Sequence, residues 1–244
     1  MSDPVPVSPP PAADQASKFE DFVDIFVSPA KVFARRAAAS PALPFVIVSA
    51  LLIVLYFVNR NVLASIMDAE ISRQMEAAMK KNPNVNADQL AASKAMGLKF
   101  AAFGAIVFVP ISLLLLGVAA WIVGRVLGGK LAYGTALLIA SFAWMPRVIE
   151  AILISVQGLL LDTSRMTSHF QLQLGPARLL DPATAPMWQL SLLGRVDLIT
   201  LWVTVLLAIG LVYAGKVPRS KVVLAGVLMW VIGSLPAFWQ ALRG

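Results

Sequence analysis

Five stretches of the chain are apolar almost throughout: Ala42 to Val58, Phe100 to Val123, Leu131 to Leu160, Val196 to Ala214 and Val222 to Leu242. Each approaches or exceeds the roughly 20 residues that a helix needs to cross a bilayer. A helix that is apolar on every side belongs in lipid or in a core, because water would face a hydrophobic surface at every turn. The pattern predicts an all-α, polytopic membrane protein with a five-helix transmembrane bundle. Pro110 and Pro236 fall inside the second and fifth stretches. Membrane helices accommodate such prolines because neighbouring helices, hydroxyl groups or water take up the freed carbonyls.

The segments between the apolar stretches carry other periods. After the first, Leu63, Met67, Ile71, Met75 and Met79 recur at helical spacing, Asn82-Pro83 interrupts them, and Asn86 with Gln89 has the spacing of a capping box. This predicts an extramembrane helical hairpin between spans 1 and 2. In the loop after the third stretch, Phe170, Leu172 and Leu174 alternate before Gly175-Pro176, a pattern that fits a short β-hairpin. "APMWQLSLL" would follow in the interface, with Trp188 as its anchor.

Before the bundle, residues 1–18 are rich in Pro, Ala, Ser and Asp and read as a disordered cytoplasmic tail. Residues 19–40 read as amphipathic interfacial helices: Phe19, Phe22, Val23 and Phe26 follow a helical period, and Ser28-Pro29 restarts the helix as N-cap and first-turn residue. Val32 and Phe33 then oppose Lys31, Arg35 and Arg36, which makes those three the candidate lipid-headgroup contacts.

Composition supports the membrane reading, with 59% hydrophobic and only 14% charged residues. The net charge of +7 would point a soluble chain towards nucleic acid, but here the basic residues flank the apolar stretches, and no nucleic-acid role follows. They also orient the bundle. The loops Gly124 to Lys130 and Ala214 to Lys221 hold five basic residues and no acid, whereas the two long loops are more dilute in positive charge. The excess of Lys and Arg in short loops places those loops and the N-terminus in the cytoplasm and the C-terminus outside. A bacterial cytoplasmic (inner) membrane is the expected location.

"SFAWMPRVIEAIL" puts Arg147 and Glu150 just after Pro146, in the middle of the third span. In a continuous helix Arg147 is roughly 22 to 25 Å from Lys130 and from Asp162, too deep to snorkel. A lone Arg at that depth costs about 2.5 to 3.5 kcal/mol on insertion scales, and Glu150 three residues on is its same-face partner. Three readings fit: a structural pair that fixes helix packing, a polar hinge lining a hydrated cavity, or a span that ends at Pro146 with residues 147–160 lying in the outer interface.

Other chemistry is scarce. With no cysteine there is neither a thiolate nucleophile nor a disulfide framework. Met67, Met75, Met79 and Met96 are soft ligands in principle, but without histidine or cysteine beside them they read as adaptable packing. His169 is the only histidine and reads as a surface residue. No Walker loop, His-Glu-x-x-His or nucleophile elbow is present. Catalytic residues, metal ligands and cofactors are therefore not expected.

"GRVLGGKLAYGTALLIASFAWMPRVIEAIL" and "VDLITLWVTVLLAIGLVYAGKVPRSKVVLAG" resemble the bacterial branch of the Yip family, the Ypt-interacting-protein membrane domain. The likeness rests on the turn Gly128 to Lys130, on Pro146, and on Asp197 five residues before Trp202, and extends from about Ser28 to Ala241. The resemblance implies a five-helix membrane domain over residues 41–244 with a cytoplasmic N-terminus. It adds Asp197 and Trp202 to Pro146, Arg147 and Glu150 as candidate polar or structural positions. Eukaryotic relatives act in vesicle trafficking and bind small lipidated GTPases, but their longer cytoplasmic arm and its Asp-Leu-Tyr-Gly-Pro segment have no counterpart here, so GTPase binding is not carried over. The expected function is a non-enzymatic membrane organiser or adaptor that binds membrane lipids or a membrane or cytoplasmic protein. The alternative is a small transporter or channel-like protein that uses Arg147 and Glu150.

Overall fold

The structure is a computed structural model that describes residue 17 and residues 19–81, 87–162 and 166–243. Ten α-helices follow one another among them: α1 (Asp21–Val27), α2 (Pro29–Arg36), α3 (Ala42–Val58), α4 (Arg60–Lys81), α5 (Ala87–Val126), α6 (Tyr133–Ala143), α7 (Met145–Leu160), α8 (Met187–Leu193), α9 (Leu198–Tyr213) and α10 (Val222–Arg243). The expected tail lies almost wholly outside the described residues, as do Asn82-Pro83 and the Asn86 half of the expected capping box.

By length and composition three helices can cross a membrane, Phe103–Val126, Tyr133–Leu160 and Arg219–Trp239. The count reaches five when two bent pairs are each taken as one span: α3 with α4, bent by 74°, and α8 with α9, bent by 53°. The protein is thus an all-α polytopic membrane protein with three to five candidate spans. The physical reason for the range is length. At about 1.5 Å per residue the 17 residues of α3 and the 16 of α9 reach about 25 Å, a little less than a hydrocarbon core.

Buried positions decide which helix is central. In Tyr133–Leu160 the most apolar window is 56% buried, against 22% in each of the other two long spans, so α6 and α7 form the axis of the bundle. Ala136 to Ala143 are buried without exception. By contrast, α5 leaves Phe100, Phe103, Val107, Phe108 and Leu115 exposed, a surface suited only to lipid.

The loops sort to two ends. The Lys130 N–H donates to the Gly215 carbonyl at 3.2 Å and the Lys221 ammonium to the Leu127 carbonyl at 3.0 Å, so the two short basic loops meet. Gly128 takes φ +90°, the left-handed region that glycine enters freely, and a Cβ on Gly129 would stand 2.7 Å from the Gly215 carbonyl oxygen. The Gly-Gly-Lys turn therefore exists because two loop backbones touch. At the other end, Arg73 of α4 donates to the Pro182 carbonyl at 2.6 Å, and Glu70 accepts from the Ser168 hydroxyl at 2.8 Å. α4 and α5 pair as the helical period predicted, joined by Lys94 to Asp68 at 2.7 Å and Lys94 to Ser72 at 2.9 Å.

One expectation is corrected. Residues His169–Leu172 form a 3-10 turn, with no β-hairpin among the described residues. Ser168 caps the turn and Gln171 closes a capping box, which gives the backbone a local partner. Phe170 then packs with Ala177 and Leu190 into a small separate cluster. Phe170 and Leu172 are thus buried here without a neighbouring strand, whereas Leu174 is exposed.

Candidate functional site

The polar residues of the third span gather where α6 gives way to α7. The helix breaks at Trp144, whose φ and ψ are −84° and −3°, and Pro146 falls in the first turn of α7. A proline there costs little, since first-turn N–H groups lack intrahelical acceptors anyway. The Arg147 N–H bonds to the Trp144 carbonyl at 2.9 Å and carries the chain round the break.

From that turn Arg147 reaches two partners. Its Nη1 donates to Glu150 Oε2 at 2.6 Å and its Nη2 to Thr200 Oγ1 of α9 at 2.8 Å. The two side chains of the ion pair are 26% and 20% exposed, so the pair is neither solvated nor sealed. Thr200 in turn belongs to the start of α9. Asp197 is the N-cap, wholly buried, and its carboxylate accepts from the Thr200 N–H at 3.0 Å, the Thr200 hydroxyl at 3.3 Å and the Leu174 N–H at 2.9 Å. The sequence-predicted residues Arg147, Glu150 and Asp197 are thereby joined in one network through Thr200, which the sequence did not single out, while Pro146 only precedes it in the turn.

Two cavities share Arg147 in their walls. One, of about 400 Å³, is lined on its polar side by Arg147, Arg195, Glu70, Gln173 and Thr200. The other, of about 230 Å³, is mostly apolar and adjoins Leu52, Tyr56, Asn59, Trp144 and Glu150. Asn59, at the bend between α3 and α4, is held by α7: its Nδ2 donates to the Ala151 carbonyl and its Oδ1 accepts from the Ser155 hydroxyl, both at 2.8 Å.

The other candidate residues lie along a different face. Trp202 meets the edge of Phe26 at 5.4 Å between centroids, while Phe33 touches both Phe142 and the Gly210 region of α9. Trp202 and Gly210 are eight residues apart, about 12 Å along a helix. The α1 and α2 pair therefore lies lengthwise against α9. Arg35 bonds Asp21 at 2.6 Å and Asp24 at 2.5 Å, and Arg36 bonds Asp21 at 2.5 Å, while Lys31 is exposed. Burial pushes the Arg35 guanidinium down, but the hydrogen bonds and charges of Asp24 and Asp21 outweigh it and hold its pKa above the usual value. Asp21 is itself buried, at 1% exposure. The Ser28 hydroxyl, expected as a cap, makes no capping bond, although Pro29 does open α2.

His169, expected on the surface, is half exposed but engaged: its Nδ1 stands 2.7 Å from Glu70 Oε1. Sequence reading missed Asp21, Asn59, Arg195 and Thr200. Only Asp21 left a trace, as an acid three residues before Asp24 in a segment that ends in two arginines. Among the described residues no group of three or more His, Asp or Glu is placed to hold a metal.

No curated protein and no solved structure matches the chain. A family does. The sequence pattern of the Yip1 domain matches residues 23–240, from within α1 to within α10, and so takes in the paired N-terminal helices, the Gly-Gly-Lys turn, the broken central span and the capped start of α9. The chain therefore belongs to the Yip1 domain family of membrane proteins.

Proposed function

We propose that the protein is a non-catalytic membrane organiser that gathers lipids or partner proteins at the face formed by α1 and α2. The Yip1 family is one of non-enzymatic membrane proteins associated with trafficking. The observation that carries the reading is the division of α1. Ile25 is fully buried in the bundle, whereas Phe19, Val23 and Val27 are 68%, 68% and 76% exposed. Val23 and Val27, four apart, form an apolar stripe on one side of the helix, Phe19 stands exposed in the turn before it, and the ion pairs of Asp21 and Asp24 hold the helix in place. Lys31 is the basic residue of this segment left exposed for a headgroup phosphate. A photo-crosslinking residue at Val23 or Val27 of the full-length protein, activated in native membranes, should give lipid adducts or a discrete protein adduct. Labelling no greater than at the buried Ile25 counts against the reading.

A second reading has its own support. Arg147 forms part of the wall of both cavities, as the charged residue of a permeation path would. Flux of a small solute or protons in reconstituted vesicles, lost on Arg147→Gln, favours a transporter over an organiser.

The proposed orientation puts the joined short loops and the N-terminus in the cytoplasm. A reporter inserted between Lys216 and Lys221 should be cytoplasmic, and one after Gly244 should be outside. A cytoplasmic C-terminus would overturn the five-span arrangement.

A further inference from the structure

The cavity of about 400 Å³ has a volume in the range of small-molecule sites. Its walls come from α4, α7, α8, α9, α10 and the 3-10 turn at His169, so that no single element makes it. Two guanidinium groups share it and repel each other, Arg147, which is paired with Glu150, and Arg195, which feels the attraction of the Asp197 charge. In a site partly screened from water such repulsion is costly unless an anion comes between.

The acids nearby are already engaged. Glu150 bonds Arg147, and both oxygens of Asp197 are taken up by Thr200 and the Leu174 N–H. Glu70 Oε1 accepts from the Ser168 hydroxyl and the His169 N–H and stands 2.7 Å from His169 Nδ1. Arg195 is different. Its Nε donates to Ser234 Oγ at 3.1 Å and its carbonyl accepts from the Trp230 indole at 2.9 Å, but among the described residues it has no ion pair. Gly233 makes room for it, since a Cβ there would stand 2.7 Å from Arg195 Nη2. The same cavity holds an orphan of the opposite kind: Gln173 Oε1 is buried and has no donor. Buried acceptors without a partner are rare and call for one.

The geometry points to a binding site for a phosphate group that itself carries a hydrogen-bond donor. The Nη donors of Arg195, with Arg147 in the same lining, take the phosphate oxygens, as guanidinium forks do. Gln173 Oε1 accepts from the donor. Two sources have this chemistry, free hydrogen phosphate with its P–O–H and a phosphoethanolamine lipid headgroup with its ammonium. The site is separate from the α1 stripe, so it stands or falls independently of the organiser reading.

The test uses full-length protein stripped of lipid, in a phosphate-free detergent and buffer, with thermal unfolding read at increasing ligand. A ligand that binds the folded state raises Tm in proportion to its affinity. The probes are inorganic phosphate, short-chain phosphatidylethanolamine and short-chain phosphatidylcholine, whose headgroup has the phosphate but no N–H. Saturable stabilisation by inorganic phosphate assigns free phosphate. Stabilisation by the ethanolamine lipid beyond the choline lipid, without a phosphate effect, assigns the headgroup. Arg195→Gln should weaken either by about tenfold or more, the usual effect of losing a charge-assisted bond. Arg178→Gln, on an exposed arginine of the same loop, should not. Gln173→Leu should remove the preference for the donor-bearing headgroup, or weaken hydrogen phosphate. It serves as the deciding variant if Arg195→Gln does not fold. No shift with any probe, equal shifts with both lipids and none with phosphate, or unchanged affinity in the deciding variant overturns the proposal.

Discussion

Glu150→Gln should lower the stability of the detergent-solubilised protein by about 3 kcal/mol, and Arg147→Gln by a similar amount. Removing one partner of a buried pair leaves an uncompensated charge and typically costs about 3 to 5 kcal/mol. The low end applies because the side chains are 26% and 20% exposed and because Arg147 keeps Thr200. The double variant should recover much of the loss. A double-mutant cycle read by thermal unfolding gives the coupling, and additive single effects within about 0.5 kcal/mol would mean that the two charges do not support each other. Function then separates the buried readings. A packing pair predicts a double variant that is stable and active; a pair lining a working cavity predicts one that is stable and inactive.

Asp21→Ala should be comparably severe, about 3 kcal/mol or more, and its effect should be confined to the N-terminal helices. Asp21 is 1% exposed and receives both Arg35 and Arg36, so its loss leaves Arg35 with Asp24 and takes from Arg36 its bond to α1. Hydrogen exchange should show α1 and α2 losing protection while α6 and α9 keep theirs. The loss of one negative charge beside Arg35 and Arg36 should also give the protein a stronger, salt-sensitive attraction to anionic vesicles, because screened charge is weaker charge. Unchanged protection in α1 would mean that the aromatic contacts of Phe22 with Phe142 and Phe26 with Trp202 hold the hairpin without the ion pairs.

Much of the fold was legible because a bilayer restricts what a chain can do. Every backbone polar group inside it needs an internal partner, so a run of about 20 apolar residues has one structure to adopt. That is why the stretch Ala42 to Val58 reappears as α3 with the same limits and Val222 to Leu242 as α10 to within a residue. The loop after α7 was misread for the complementary reason. Outside lipid, alternating Phe170 and Leu172 suit a strand or a capped turn equally, and the Ser168 cap settled it locally.

Of the candidate site, the i to i+3 spacing of Arg147 and Glu150 was enough to name a pair, because helix geometry alone brings those positions together. What no local rule contains is the company they keep. Thr200 is 53 residues from Arg147, and Arg195 meets Ser234 across 39. The chain by itself determined the helices, the joined basic loops' shared sign and the membership of a membrane family, since hydropathy, loop charge and motif order are properties of short segments. Only the tertiary structure decided that Asp21 bonds both Arg35 and Arg36, that α1 and α2 run along α9, and that two arginines and an unpartnered glutamine share one cavity. Those facts depend on which helix faces are buried against each other, and packing of that kind is settled by contacts between residues far apart in the chain.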